Sequence, residues 1–113
     1  MTKFVFVYYG TVKSKDIRKE DMKKTMDQWM AWFATFKDKI VDGGNPFRNE
    51  AKSVTAKGIE TIPADRWPAL GYTIINAKDM EEATNMAQGC PALKDDPEGA
   101  VRVYEIMPYF IVT

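Results

Sequence analysis

Hydrophobic positions change their period along the chain, and the changes mark the elements. Lys3–Tyr9 (KFVFVYY) is a β-branched and aromatic run ending at Gly10, which predicts a strand apolar on both alternations. A polar stretch, 11–16, follows, with Ser14 or Asp16 as a helix cap. From Ile17 to Val41, Met22, Met26, Trp29, Met30, Phe33, Phe36 and Ile40 recur at spacings of three and four. On a helical wheel they form one stripe and predict a helix, with Trp32 about 80° from the stripe's centre. Asp42-Gly43-Gly44 is the expected C-cap, with Pro46 just beyond.

Ala51–Lys57 (AKSVTAK) alternates weakly and carries two lysines, as an edge strand blunted by charge does. Gly58–Leu70, with Pro63 and Pro68, reads as loop. Gly71–Ala77 (GYTIINA) is a second apolar strand. Asp79, with Glu82 three residues on, caps a helix whose inner stripe is Met80, Ala83, Thr84 and Ala87; Gly89 and Pro91 stop it. Ala92–Gly99 is a polar loop. Ala100–Met107 is the last strand, with Arg102 and Glu105 on opposite faces. Beyond Pro108 the tail Tyr109–Thr113 is apolar again.

The order β-α-β-β-α-β predicts a single α+β domain over 1–113. It would be a ferredoxin-like, antiparallel four-stranded sheet with two helices on one face. The apolar first and third strands belong in the middle; the second and fourth, which carry Lys and Arg, belong at the edges. Because the central strands are apolar on both alternations, the helix-free face needs a cover. The simplest cover is the same face of a second copy, giving a homodimer with the form of a dimeric α/β barrel.

Composition narrows the chemistry. A chain of 113 residues has room for one core. Its 16 basic and 16 acidic side chains cancel, so neither a nucleic-acid footprint nor an anionic membrane is expected as partner. There is no histidine, which removes His bases, Ser-His and Cys-His pairs and His-ligated metals. One cysteine leaves no intrachain disulfide and no thiolate cluster. No metal and no cofactor are expected. The longest apolar runs, 4–9 and 106–112, fall short of the roughly 20 residues of a membrane helix. With no signal-peptide pattern at the start, the expected location is the cytoplasm.

Several segments together resemble the YCII-related family of small dimeric α/β-barrel proteins. They are KFVFVYYG at the start, MDQWMAWF at 26–33, IVDGGNPF at 40–47, LGYTIINAKDMEEA at 70–83, GCPAL at 89–93 and VRVYEI at 101–106. The match is to the branch with a W-x-x-W helix (Trp29, Trp32) and a GGNP turn. The DGPF branch label does not carry over, since the corresponding text is Asp65-Arg66-Trp67-Pro68. The resemblance implies a cytoplasmic homodimer with a small-molecule cleft between sheet and helices. Some relatives carry a His-Asp pair in that cleft, its His on the first helix; a His-free chain cannot use it. Relatives often have His after the Cys-Pro pair, where this chain has Ala92.

Beside a regulatory or protein-interaction module working through its exposed surface, two functional readings follow. One is a homodimer that binds a small organic molecule without chemistry of its own, through Trp29, Trp32, Asn45, Phe47, Tyr8 and Tyr72. Each has a plain alternative: core packing for Trp29 and the tyrosines, partial burial for Trp32, turn chemistry for Asn45. The other is a cofactor-independent lyase, isomerase or oxygenase. Its candidate acid–base groups are Lys52, otherwise an edge protector, and Glu105, a carboxylate in the set with Val101, Val103 and Met107. Cys90, just past a helix C-terminus and with no His to activate it, reads as a buried structural thiol.

Overall fold

A computed structural model describes residues 1–10, 19–48, 50–63 and 68–109. The expected caps Ser14 and Asp16, the helix start at Ile17, the text 64–67 and the tail from 110 lie outside them. Among these residues, six strands and three α-helices follow in chain order: β1 (Thr2–Tyr9), α1 (Lys19–Ala34), β2 (Ile40–Asp42), β3 (Lys52–Thr55), β4 (Gly58–Thr61), β5 (Ala69–Ala77), α2 (Met80–Ala87), α3 (Ala92–Asp95) and β6 (Ala100–Glu105). The main sheet is antiparallel and four-stranded, in the order β2-β5-β1-β6. This is the ferredoxin-like order, with the two apolar strands in the middle.

The second sheet strand is not where the pattern put it. Residues 51–57 do not join the sheet; β3 and β4 form a separate two-stranded hairpin, and β4 lies inside the expected loop. The sheet's edge is instead the three-residue β2, which the helical pattern had absorbed. α1 ends at Ala34, a 3₁₀ turn spans Lys37–Lys39, and Ile40 pairs with Ile75. Ile40 keeps the spacing of three and four by coincidence, and three residues are too few to show a period of two. Gly43-Gly44 therefore follows a strand rather than capping a helix. At the other end, the expected loop 92–99 contains α3, and β6 stops at Glu105, where the Ile106 amide donates to the Lys3 carbonyl.

The core lies between the sheet and the helices. Phe4, Phe6 and Tyr8 of β1, Thr73, Ile75 and Ala77 of β5, Trp32 and Phe36 of the α1 segment, Ala83 and Ala87 of α2, and Cys90 are buried. Burying a side chain the size of Phe4 or Ile75 contributes about 1.5–3 kcal/mol. The buried face of α1 differs from the expected stripe. Trp32, expected off the stripe's centre and partly buried at most, is buried in the core, while Met22, Met26 and Met30 are exposed. The face that packs is turned toward Trp32 by roughly 40°. Periodicity weighs a methionine like a tryptophan, but only the tryptophan meets partners on the sheet. Asp79 caps α2 as read, the Glu82 amide donating to Asp79 Oδ1 at 2.9 Å, while the Glu82 carboxylate accepts from the Lys78 amide rather than from Asp79 as a capping box would. No helix among the described residues is long and apolar enough to cross a membrane.

Among the described residues, the opposite sheet face has no helix. Register aligns Tyr104, Val5 and Ile74 in one cross-strand row and Arg102, Val7 and Tyr72 in the next. Val5, Val7, Tyr72 and Ile74 are half-buried by their neighbours; Tyr104 is exposed. The Arg102 guanidinium lies 4.5 Å from the centre of the Tyr9 ring.

Candidate functional site

The space between sheet and helices, the expected cleft, is filled by aromatic rings. Trp32 stacks on Phe6 (6.1 Å, 23°) and Phe33 (5.3 Å, 27°) and meets Phe36 edge-on at 4.9 Å. Trp29 meets Tyr8 edge-on at 4.8 Å. The Trp32 indole N–H donates to the Met86 carbonyl at 3.0 Å, so its polar end is satisfied inside the core. Gly89 permits that approach, since a Cβ there would stand 3.1 Å from the indole.

Tyr8 is also bound into the core. Its hydroxyl donates to Thr73 Oγ1 at 2.8 Å, and the Thr73 hydroxyl donates to the Gly43 carbonyl at 3.0 Å. Burial raises the Tyr8 phenol well above its ordinary range, partly offset by the bond to Thr73, so it stays protonated. Burial likewise pushes the Cys90 thiol up to about 11, against hydrogen bonds from the Ala92 and Leu93 amides. Neither group is poised as a base or nucleophile at neutral pH.

The other three expected ligand residues gather at the end of the sheet. Asp42 Oδ1 accepts from the Gly44 amide at 2.9 Å, and Asp42 Oδ2 accepts from the Tyr72 hydroxyl at 3.1 Å. That bond, and then the carboxylate's charge, raises the Tyr72 phenol. Gly44 has φ +72° and passes so close to β5 that a Cβ would stand 1.7 Å from the Tyr72 carbonyl oxygen. Only glycine fits there, which accounts for the second glycine of the GGNP turn. The turn then carries the chain back along β5. Pro46 bridges to Gly71, and the Phe47 amide donates to the Leu70 carbonyl at 2.7 Å. The Phe47 ring stacks on Tyr72 at 6.0 Å and 27°. Asn45 is exposed on this turn, its backbone carbonyl against Gly71.

Beside this turn is a half-open cleft of about 480 Å³. Pro46, Phe47, Ala51, Ile62, Pro68 and Leu70 form its apolar walls, and Arg48 and Glu50 are its charged residues. The expected ligand set thus divides: Tyr8, Trp29 and Trp32 pack the core, whereas Phe47 stands at the cleft, in stacking contact with Tyr72. Arg48, Leu70, Ile62 and Asp42 were missed. The Asp-Gly-Gly text was the available signal for Asp42; no sequence pattern marks the others.

Lys52 and Glu105 do not come together. Lys52 is exposed on the hairpin, its Nζ 3.3 Å from Thr61 Oγ1, and Glu105 is exposed opposite Phe4 at the end of β6. They belong to different sheets, so the acid–base pair they would have formed is not assembled in the chain.

No family model matches the chain, and a comparison with curated proteins gives no match either. Among solved structures, 5-chloro-2-hydroxyhydroquinone dehydrochlorinase (TftG) from Burkholderia phenoliruptrix AC1100, in complex with 2,5-dihydroxybenzoquinone, is similar at 17% identity and a TM-score of 0.48. The match covers 91% of this chain and 93% of that one. A likeness of this size transfers no residue role.

Proposed function

We propose that the chain is a homodimeric, YCII-like protein that binds a small organic molecule in the cleft beside the GGNP turn. One observation carries the binding reading: a cleft of about 480 Å³ with apolar walls and a few charged groups, held by a turn that only glycine can make. Its volume falls in the usual range of small-molecule sites, roughly 300–1,000 Å³. Its apolar walls suit the body of a ligand, while Arg48 and Glu50 select for polar substituents. The homodimer rests on the uncovered apolar rows of the sheet and on the family resemblance. The acid–base alternative is not carried forward, because Lys52 and Glu105 are separated.

Native mass spectrometry of freshly purified protein reports subunit number and retained ligand together. The site is then tested with 8-anilinonaphthalene-1-sulfonate as an apolar, anionic probe. Phe47→Ala and Ile62→Gln are expected to weaken its binding about tenfold each by removing apolar wall. Unchanged affinity in both variants would place the probe elsewhere and end the assignment of this cleft.

A further inference from the structure

Among the described residues, the β3–β4 hairpin has no adequate support within its own chain. Every residue of its two strands is exposed except Ser53, which is half-buried. Val54 and Ile59 are direct cross-strand partners, yet 74% and 70% of their surface is exposed. A lone two-stranded hairpin is at best marginal in water and needs a third surface. The molecule is also less compact than its length implies. Its radius of gyration is 15.7 Å, against about 13 Å for a compact chain of this size. The hairpin is an arm.

Its root shows where the arm belongs. The chain enters it from Phe47, whose ring stacks on Tyr72, and Tyr72 is one of the residues of the uncovered sheet face. The arm therefore starts at the rim of that face. The face itself is modest. Its four strands, three to nine residues long and about 4.8 Å apart, span roughly 400 Å² of flat area. A standard interface buries about 800 Å² per partner. The arm is the neighbouring surface that adds apolar contact to that face. Zero net charge offers no reason to seek a partner of opposite sign.

We propose that the arm clasps a second copy of this chain, burying Val54 and Ile59 against the partner when the two sheet faces meet. This rests on the homodimer reading above and adds to it the element that holds the dimer. Sedimentation equilibrium on the full chain and on the Val54→Thr/Ile59→Thr variant tests it, since threonine keeps both β-branched shapes and the exposed sites do not support the core. The variant is expected to dimerise about thirtyfold more weakly, with an unchanged near-ultraviolet circular dichroism spectrum. Hydrogen exchange on the unmodified chain gives a second readout: amides 52–61 should gain protection in step with dimer formation. A variant dimerising as tightly as the parent overturns the clasp and leaves the sheet-face dimer standing. Arm amides equally protected in dilute monomer overturn it too, because the arm then packs on its own chain. A parent that stays monomeric at every concentration removes the homodimer reading itself.

Discussion

Thr73 is a buried polar side chain of the core, and its hydroxyl serves two partners. It accepts from Tyr8 and donates to the Gly43 carbonyl, so it joins the aromatic interior to the turn that shapes the cleft. The two ends of this relay differ in what their loss exposes. Tyr8→Phe removes a donor and leaves Thr73 bonded to Gly43, at a cost of about 1 kcal/mol. Thr73→Val leaves both a buried phenol and the Gly43 carbonyl without their partner, at about 1–3 kcal/mol. Urea unfolding should rank Thr73→Val as the more damaging; the reverse order would show that the relay does not hold the turn. At Gly44 a side chain has no room beside Tyr72, so this part of the site depends on backbone shape rather than on a functional group.

Among the elements, α2 shows how local sequence and tertiary contact combine. Asp79 caps it, and Glu82 in its first turn forms an ion pair with Lys39 of the 3₁₀ turn before β2. That pair ties the start of α2 to the short edge strand, whose three residues would otherwise hold poorly. The hydrogen bond from Lys39 lowers the Glu82 carboxyl below its usual range, with a smaller lowering from the Lys78 amide. A carboxyl lowered in the folded state adds stability above its unfolded value, and that stability is lost as pH falls through the lower folded value. The parent should therefore be more stable than Glu82→Gln at neutral pH, and the difference should close below the usual carboxylate range. A difference in melting temperature that persisted into strong acid would mean that the pair is not its source. The edge placement of β2 also explains why the arm exists: the chain leaves the sheet after three residues and returns only at β5.

For the whole molecule, layers decide what is covered. The chain measures 43 × 42 × 21 Å, and the short dimension accommodates one sheet and one layer of helices. The second sheet face is left with Val5, Val7 and Ile74 at its centre. If a second copy covers it, the midpoint of thermal unfolding should rise with protein concentration, because the partner binds only the folded chain. Ile74→Lys, at the centre of the face, should yield a folded monomer at concentrations where the parent is dimeric. Light scattering checks the mass and far-ultraviolet circular dichroism the fold. A dimeric Ile74→Lys protein would show that association uses another surface.

The amino-acid pattern by itself determined the class of fold and much of its topology. Unbroken β-branched and aromatic runs identified β1 and β5 as central, and Arg102 marked β6 as an edge, whereas the lysines of 51–57 marked a strand that is not in the sheet. Asp79 with Glu82 announced α2. These signals are local, carried by neighbours in sequence and by periods of two or 3.6. Tertiary structure decided the rest. It chose Trp32 over Met22, Met26 and Met30 for the core, because burial depends on which residues the sheet meets. It moved the second sheet strand from 51–57 to Ile40–Asp42, since pairing with Ile75 is a contact across 35 residues that no local period records. It parted Lys52 from Glu105 and placed Phe47 beside Tyr72 at the cleft, because a site is made by long-range register and backbone approach.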